Sequence, residues 1–244
     1  MRSRFSSRVT KRGSKFDYWV PMPSRKYLTV TQIRKLEEKA KCLGLSERLL
    51  IENASSNLAQ IIDSLNLGKN FLAVAGKGNN GADTLACARK LAAKGYAACA
   101  VILAHDSVAL SEEVIFQKNI LERIAPVDLV NESNLARLSQ ALKTSDFLID
   151  GIFGIGLSGP ISSFFLSAID LINRSKKPVV ACDIPSGLHP DTGEILGGAI
   201  KAKYTITFIA PKRAFFLPPA KKFCGKILMA DIGIPLLKIR QRNR

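Results

Sequence analysis

The sequence predicts an α/β domain built on parallel strands, and three observations carry that reading. Short apolar runs alternate along the chain with stretches whose apolar residues recur at helical spacing. A glycine-rich turn, Gly76 to Asp83, joins the first of those runs to the helical stretch that follows. Two later runs end in an acid followed by a turn, Asp150-Gly151 and Asp183-Ile184-Pro185-Ser186-Gly187, which puts polar side chains where parallel strands of one sheet would all stop.

Each element has its own local cause. Thr29 and Gln32 stand at capping-box spacing and open a helix with Ile33, Leu36 and Ala40 along one face, ended by Gly44. Ser46 caps a second helix, whose Leu49, Leu50, Ala54, Leu58, Ile61, Ile62 and Leu65 form a broad apolar face that stops near Gly68. The run Phe71 to Ala75 reads as a buried strand, followed by a helix over Thr84 to Gly95. The alternation continues with a strand at Ala97 to Leu103, a helix from about Ser111, a strand at Val127 to Val130 and a helix at Leu135 to Leu142. Phe147 to Asp150 and Pro178 to Asp183 are strands around a helix at Phe164 to Asn173, and Tyr204 to Ile209 and Lys226 to Asp231 are late strands.

A length of 244 residues suits one such domain with tails: a basic tail at 1–22 without fixed structure, a folded part at 23–237, and a second basic tail at 238–244. The net charge of +16 raises a nucleic-acid reading, but ten of the cations lie in residues 1–15 and 238–244, which contain no acid. The remaining +6 is a modest excess over a large surface, so nucleic acid is expected to bind only through the tails. No apolar stretch is long enough to cross a bilayer. The Arg- and Ser-rich start resembles an organelle transit peptide without a convincing apolar face, and a cytoplasmic location is expected instead. Five scattered cysteines with no C-x-x-C pair suit a reducing compartment, and Cys87, Cys99 and Cys182 read as core residues.

Gly76, Gly78 and Gly81 fit the G-x-G-x-x-G spacing, and Gly154, Gly156 and Gly159 repeat it after the run ending in Asp150. Such turns set backbone N–H groups at the positive end of a helix against a phosphate. Any one of these loops is explained by turn-making glycines and capping acids; the three together mark a site. A dinucleotide fingerprint also asks for an acid after the next strand, and Asp106 stands near that place, which keeps a dehydrogenase open. Asn79 and Asn80 suit an amide, a hydroxyl or a cation better than a plain pyrophosphate turn. Asp150 and Asp183 are expected to face one crevice, where a carboxylate can move a proton on or off a substrate hydroxyl. Ser186 lacks a nucleophile context, and His105 and His189 lack metal-ligand spacing and read as solvated loop residues.

The residues also resemble the NAD(P)H-hydrate epimerase family, the YjeF N-terminal domain. The likeness runs from about Tyr27 to Pro235 and rests on Leu50 to Ala54, Gly76 to Asp83, Asp150 to Gly154, Asp183 to Gly187, Ala210-Pro211-Lys212 and Asp231 to Pro235. The resemblance implies a Rossmann-like three-layer α/β/α sandwich with a mostly parallel central sheet, commonly dimeric. It also implies interconversion of the R and S forms of hydrated NADH and NADPH, so that a separate ADP- or ATP-dependent dehydratase can repair them. By position, Asn79, Asn80, Gly81, Ala82, Asp83, Gly154, Ile155, Gly156, Leu157, Ser158, Gly159, Pro160 and Asp183 match the family's substrate-binding residues. Asn80, Asp150 and Ser186 match its potassium ligands, one ion per subunit, and Asp183 is expected to move the proton. The chain departs from the family's pattern at Ala82 and Thr84, where glycines are usual, at Ser162 to Phe165, where Arg-x-Pro-Phe is usual, and at His189. A non-catalytic rival remains: the same domain dimerises and binds RNA in an mRNA-decapping scaffold.

Overall fold

The structure, a computed structural model, describes residues 27–234. The expected basic tails at 1–22 and 238–244 lie outside the described residues. Seven strands form one sheet: β1 (Asn70–Ala75), β2 (Ala97–Leu103), β3 (Val127–Val130), β4 (Phe147–Gly151), β5 (Val179–Cys182), β6 (Tyr204–Phe208) and β7 (Lys226–Ala230). Their order is β3-β2-β1-β4-β5-β6-β7, and every pairing is parallel. The expected mostly parallel sheet is thus parallel throughout.

Among the described residues, six α-helices cover the two faces: α1 (Val30–Cys42), α2 (Glu47–Ser64), α3 (Asn79–Ala93), α4 (Glu112–Leu121), α5 (Ala136–Thr144) and α6 (Ser163–Arg174). The pleat of β1 explains the layering, because Phe71, Ala73 and Ala75 enter one core with α1 to α4 while Leu72 and Val74 enter the other with α5 and α6. A third, smaller cluster around Ile184, Leu188 and Phe215 fills the long connections around β6. The capping box at Thr29 and Gln32 is present, as are the Ser46 and Ser111 caps.

One boundary differs from the sequence expectation in a way that shapes the site. Helix α3 begins at Asn79, capped by Gly78, so Asn79 to Asp83 form its first turns rather than a loop before it. The cause is close packing of α3 on the strand ends: a Cβ on Gly81 would sit 2.0 Å from the Gly76 carbonyl oxygen, and one on Gly151 would sit 1.9 Å from Thr84 Oγ1 and 2.7 Å from the Asn80 carbonyl oxygen. Glycine lets the helix start against the strand ends. The sheet runs outward in opposite directions from the β1–β4 pair, so the loops after these two strands flank the switch point where open α/β sheets bind ligands.

Candidate functional site

A cavity of about 710 Å³ opens at that edge, within the range of small-molecule sites. The turn after β1 and the start of α3 supply Gly76 to Asn80 and Asp83, and the loop after β4 supplies Ile152 to Ser158 and Pro160. Asp183 follows β5, Phe208 ends β6, Ile209 and Lys212 follow it, and α1 and α2 close the front with Arg34, Glu37, Lys41 and Glu47. Helix α1 is held there because Leu28 N–H donates to the Pro211 carbonyl (3.0 Å) and Val30 N–H to Asp191 Oδ1 (3.0 Å).

Asp183 is the most constrained of these residues. Its φ is 64°, and the Ile184 N–H donates back across it to the Cys182 carbonyl (2.8 Å), a three-residue turn of the rarer, strained hand. Ile209, at the end of the neighbouring strand, repeats the device with φ 64° and an Ala210 N–H to Phe208 carbonyl bond of 2.6 Å. A β-branched residue in that region is a genuine outlier, and both strained residues line the cavity. Asp183 is 8% exposed, and its Oδ1 accepts from Thr207 Oγ1 (3.0 Å), from the Phe208 N–H (3.0 Å) and from the Lys212 ammonium. Among the described residues no donor is bonded to Oδ2. Lys212, 1% exposed, also donates to Thr207 Oγ1 (2.9 Å) and the Phe208 carbonyl (3.1 Å), so all three of its protons are directed.

Asp150 occupies a different position from the expected one. It is 1% exposed and lies beneath the cavity rather than on its wall. Its Oδ1 accepts from Ser186 Oγ (2.6 Å) and the Ile152 N–H (3.3 Å), and its Oδ2 from the Ser186 N–H (2.9 Å). Burial pushes Asp150 up to about 6, against these hydrogen bonds, which favour the charged form. Ser186 Oγ also accepts from the Phe153 N–H (2.9 Å), and Asn80 Nδ2 donates to the Phe153 carbonyl (3.0 Å). Asn80, Asp150, Ser186 and the Phe153 carbonyl therefore form one compact, oxygen-rich group whose buried carboxylate has no cationic partner among the described residues. A hard monovalent cation suits that donor set, with the Asn80 carboxamide turned so that its oxygen faces inward.

The remaining candidates divide. Asn79, Asn80, Asp83, Gly154, Ile155, Gly156, Leu157, Ser158, Pro160 and Asp183 line the cavity; Gly81, Ala82 and Gly159 do not. Ala82 and Thr84, which replace the family's glycines, are fully buried and leave the cavity unobstructed. The second glycine spacing is no phosphate turn leading into a helix, because α6 starts only at Ser163, Gly159 stands in open space and Gly156 has only Arg34 near it. Asp106 also lies off the cavity, accepting from Asn131 Nδ2, so the acid needed by a dehydrogenase reading is turned away. His105, expected in solvent, is instead half-buried against Phe164 and Phe165 and bonded to Glu132 and to Ser162 Oγ (3.1 Å). His189 is likewise structural, its Nδ1 accepting from the Asp191 and Thr192 N–H groups (both 3.2 Å).

Sequence reasoning did not assign Lys212 to the site, although the Ala210-Pro211-Lys212 motif carried the signal. It also missed Glu37 and Glu47, because nothing in a helix pattern shows which polar face will cover a cavity. Burial and the nearby Asp183 raise Glu37 above the usual carboxylate range, against Lys212 and Lys41. Burial also opposes ionisation of Glu47, but hydrogen bonds from Lys41 and Asn79 outweigh it and leave Glu47 lowered.

The model of the YjeF-related protein N-terminus matches residues 47–214. The NAD(P)H-hydrate epimerase of Cenarchaeum symbiosum is 35% identical over 209 residues, which cover 85% of this chain and 95% of that protein. The NAD(P)H-hydrate epimerase of Lentilactobacillus buchneri is 35% identical over 215 residues, covering 85% and 94%. The bifunctional NAD(P)H-hydrate repair enzyme Nnr of Thermofilum pendens is also 35% identical, over 86% of this chain, but the match spans only 40% of that longer protein. The crystal structure of yeast ynu0 shares the fold, with a TM-score of 0.67 and 22% identity over 81% of this chain and 86% of that one. A parallel sheet with its cavity at the switch point, a matching family model and relatives covered almost end to end lead to one conclusion: the chain belongs to the YjeF-related N-terminal family.

Proposed function

We propose that this protein is an NAD(P)H-hydrate epimerase, an isomerase that interconverts the R and S forms of hydrated NADH and NADPH. The observation that carries the reading is Asp183, which lines the cavity with one oxygen held by three donors and the other bonded to none of the described residues. In the hydrated ring a hydroxyl stands on the carbon beside nitrogen. A proton delivered to that hydroxyl lets water leave as the nitrogen lone pair closes to a planar iminium, and water can return from the other face. Asp183 Oδ2 is positioned to exchange that proton, while Lys212 and Thr207 fix the carboxylate through Oδ1. Asn79, Asn80 and the loop from Gly154 to Pro160 would hold the nicotinamide and its substituents.

The reading includes one potassium ion held by Asn80, Asp150 and Ser186, with the Phe153 carbonyl beside them. When bound, the ion would supply positive charge to the buried Asp150 carboxylate and fix the start of the loop after β4. Potassium should raise the melting temperature above that in sodium, and Asp150→Asn should abolish the difference. The reading also includes a homodimer and a dehydratase acting on the same metabolite, since relatives named as bifunctional repair enzymes extend well beyond the matched region. No helix among the described residues is long and apolar enough to cross a membrane.

The deciding experiment is epimer exchange of hydrated NADPH by purified protein beside Asp183→Ala. The variant should lose at least about 100-fold in rate while keeping its fold. Near-normal exchange by the variant would remove Asp183 from the mechanism.

A further inference from the structure

We infer that Asp83 is a second proton carrier of the cavity, sharing a single proton with Asp183 across the space that receives the hydrated ring carbon. The inference rests on the epimerase reading and deepens it.

The two carboxyl groups reach the same cavity from different elements, Asp183 from the end of β5 and Asp83 from the first turns of α3. Asp83 is partly open at the wall, while its neighbours Gly81, Ala82 and Thr84 are buried away from it. Their surroundings are opposite. Asp183 has a buried ammonium, a hydroxyl and a backbone N–H on one oxygen. Among the described residues, Asp83 accepts no hydrogen bond.

The charged groups around Asp83 come from every element at this end of the cavity. Arg34, Glu37 and Lys41 lie on α1, Glu47 on α2, Lys77 after β1, His105 after β2, Asp183 after β5 and Lys212 after β6. Two of the three lining ammonium groups are already engaged, Lys41 with Glu47 (3.0 Å) and Lys212 with Asp183, and the charges that act on Asp83 are those of carboxylates. Burial first, then the carboxylates of Asp183, Glu37 and Glu47, raise Asp83 well above the usual range. A pair whose environments differ in this way assigns its own roles, the neutral member as acid and the ion-paired member as base.

The chemistry balances with one proton. Asp83 gives its proton to the substrate hydroxyl, the C–O bond breaks with its electrons leaving on water, and the nitrogen lone pair forms the C=N bond. Water then adds to the other face, the C=N electrons return to nitrogen, and Asp183 Oδ2 takes the proton released. Nothing is oxidised or reduced; the reverse reaction returns the proton to Asp83, and between turnovers in one direction Asp183 loses its proton to solvent while Asp83 regains one.

The test uses Asp83→Asn in the full chain, a near-isosteric change. Epimer exchange should fall at least about 100-fold, the range of a lost general acid, while the variant still binds hydrated NADPH in a thermal-shift assay. In the wild type, exchange should decline as pH rises through the raised Asp83 titration. With carbon-13 labelled aspartate, two upshifted carboxyl titrations should be present in the wild type, and Asp83→Asn should remove one of them while Asp150→Asn removes the other. Exchange within about 3-fold of wild type overturns the inference, as does the survival of every upshifted titration in the variant, since only that of Asp150 should remain. Wild-type protein that exchanges epimers together with an equally active Asp83→Asn sinks this inference alone; wild-type protein with no exchange sinks the epimerase reading as well. Should Asp83→Asn not fold, the wild-type titration decides: no upshifted aspartate beyond the one that Asp150→Asn removes would refute the shared proton.

Discussion

Lys212 and Asp183 form a buried ion pair whose two members are not equivalent in what they protect. Removing the ammonium alone leaves a carboxylate 8% exposed without its cation, so Lys212→Met should cost about 3–5 kcal/mol in denaturant unfolding and abolish most epimer exchange. The double variant Asp183→Asn, Lys212→Met should recover much of that stability and remain inactive, which separates the structural role of the pair from its chemical one. The two acids were legible in the sequence as strand-end residues before turns. Their different fates were not, because Ser186 engages Asp150 from below while the positive φ of Asp183 aims it at the cavity, and backbone hand at a non-glycine residue leaves no pattern in the sequence. Asp106 failed for a related reason: it stands near the expected position in sequence, but its carboxylate is bonded to Asn131.

Among the elements, α3 carries the site, and its contacts predict which glycines can change. Gly81→Ala forces a methyl group to within 2.0 Å of the Gly76 carbonyl oxygen and should destabilise the fold by about 3 kcal/mol. Gly156→Ala meets nothing nearer than Arg34 Nη2 at 3.8 Å and should stay within about 0.5 kcal/mol, although both positions belong to the same spacing pattern in the sequence. Thermal unfolding of the two variants checks the contrast. Glu52 on α2 ties three helices, accepting from Arg89 and Lys90 of α3 and from Gln117 of α4. Partial burial works against its charge, but the hydrogen bonds from Lys90, Arg89 and Gln117 prevail and lower it from 4.5 to about 2. Because the folded value lies below the unfolded one, this contribution is complete above pH 4.5 and disappears as pH falls toward 2. Allowing for solvent screening, it is worth about 1 kcal/mol, and Glu52→Gln should remove that part of the acid dependence in pH-resolved melts. Most elements were legible because caps and periodicity act locally. The start of α3 was not, since asparagine and glycine signal a turn until the strand beside them makes glycine the residue that fits.

At the scale of the molecule, the strand order sets where chemistry can occur. The chain builds β1 to β3 in one direction and β4 to β7 in the other, so the ends of β1 and β4 diverge, and α1 and α2 close over the gap. The strand and helix alternation made the parallel sheet legible. Which polar residues of α1 and α2 face the gap depends on packing between distant segments, such as Leu28 on Pro211 and Asn53 on the Ile232 carbonyl (3.0 Å). The Leu50 to Ala54 and Asp231 to Pro235 motifs thus meet through that bond, as parts of the frame that holds α2 in place. This frame holds the proposed site for exchanging the epimers of a hydrated nicotinamide nucleotide. The most direct measurement supplies purified R-epimer of hydrated NADPH to the wild-type protein in potassium buffer and follows the S-epimer by chromatography. Rapid approach to the equilibrium mixture, slower when sodium replaces potassium, is the predicted result; an R-epimer that converts no faster with protein than without it would contradict the account.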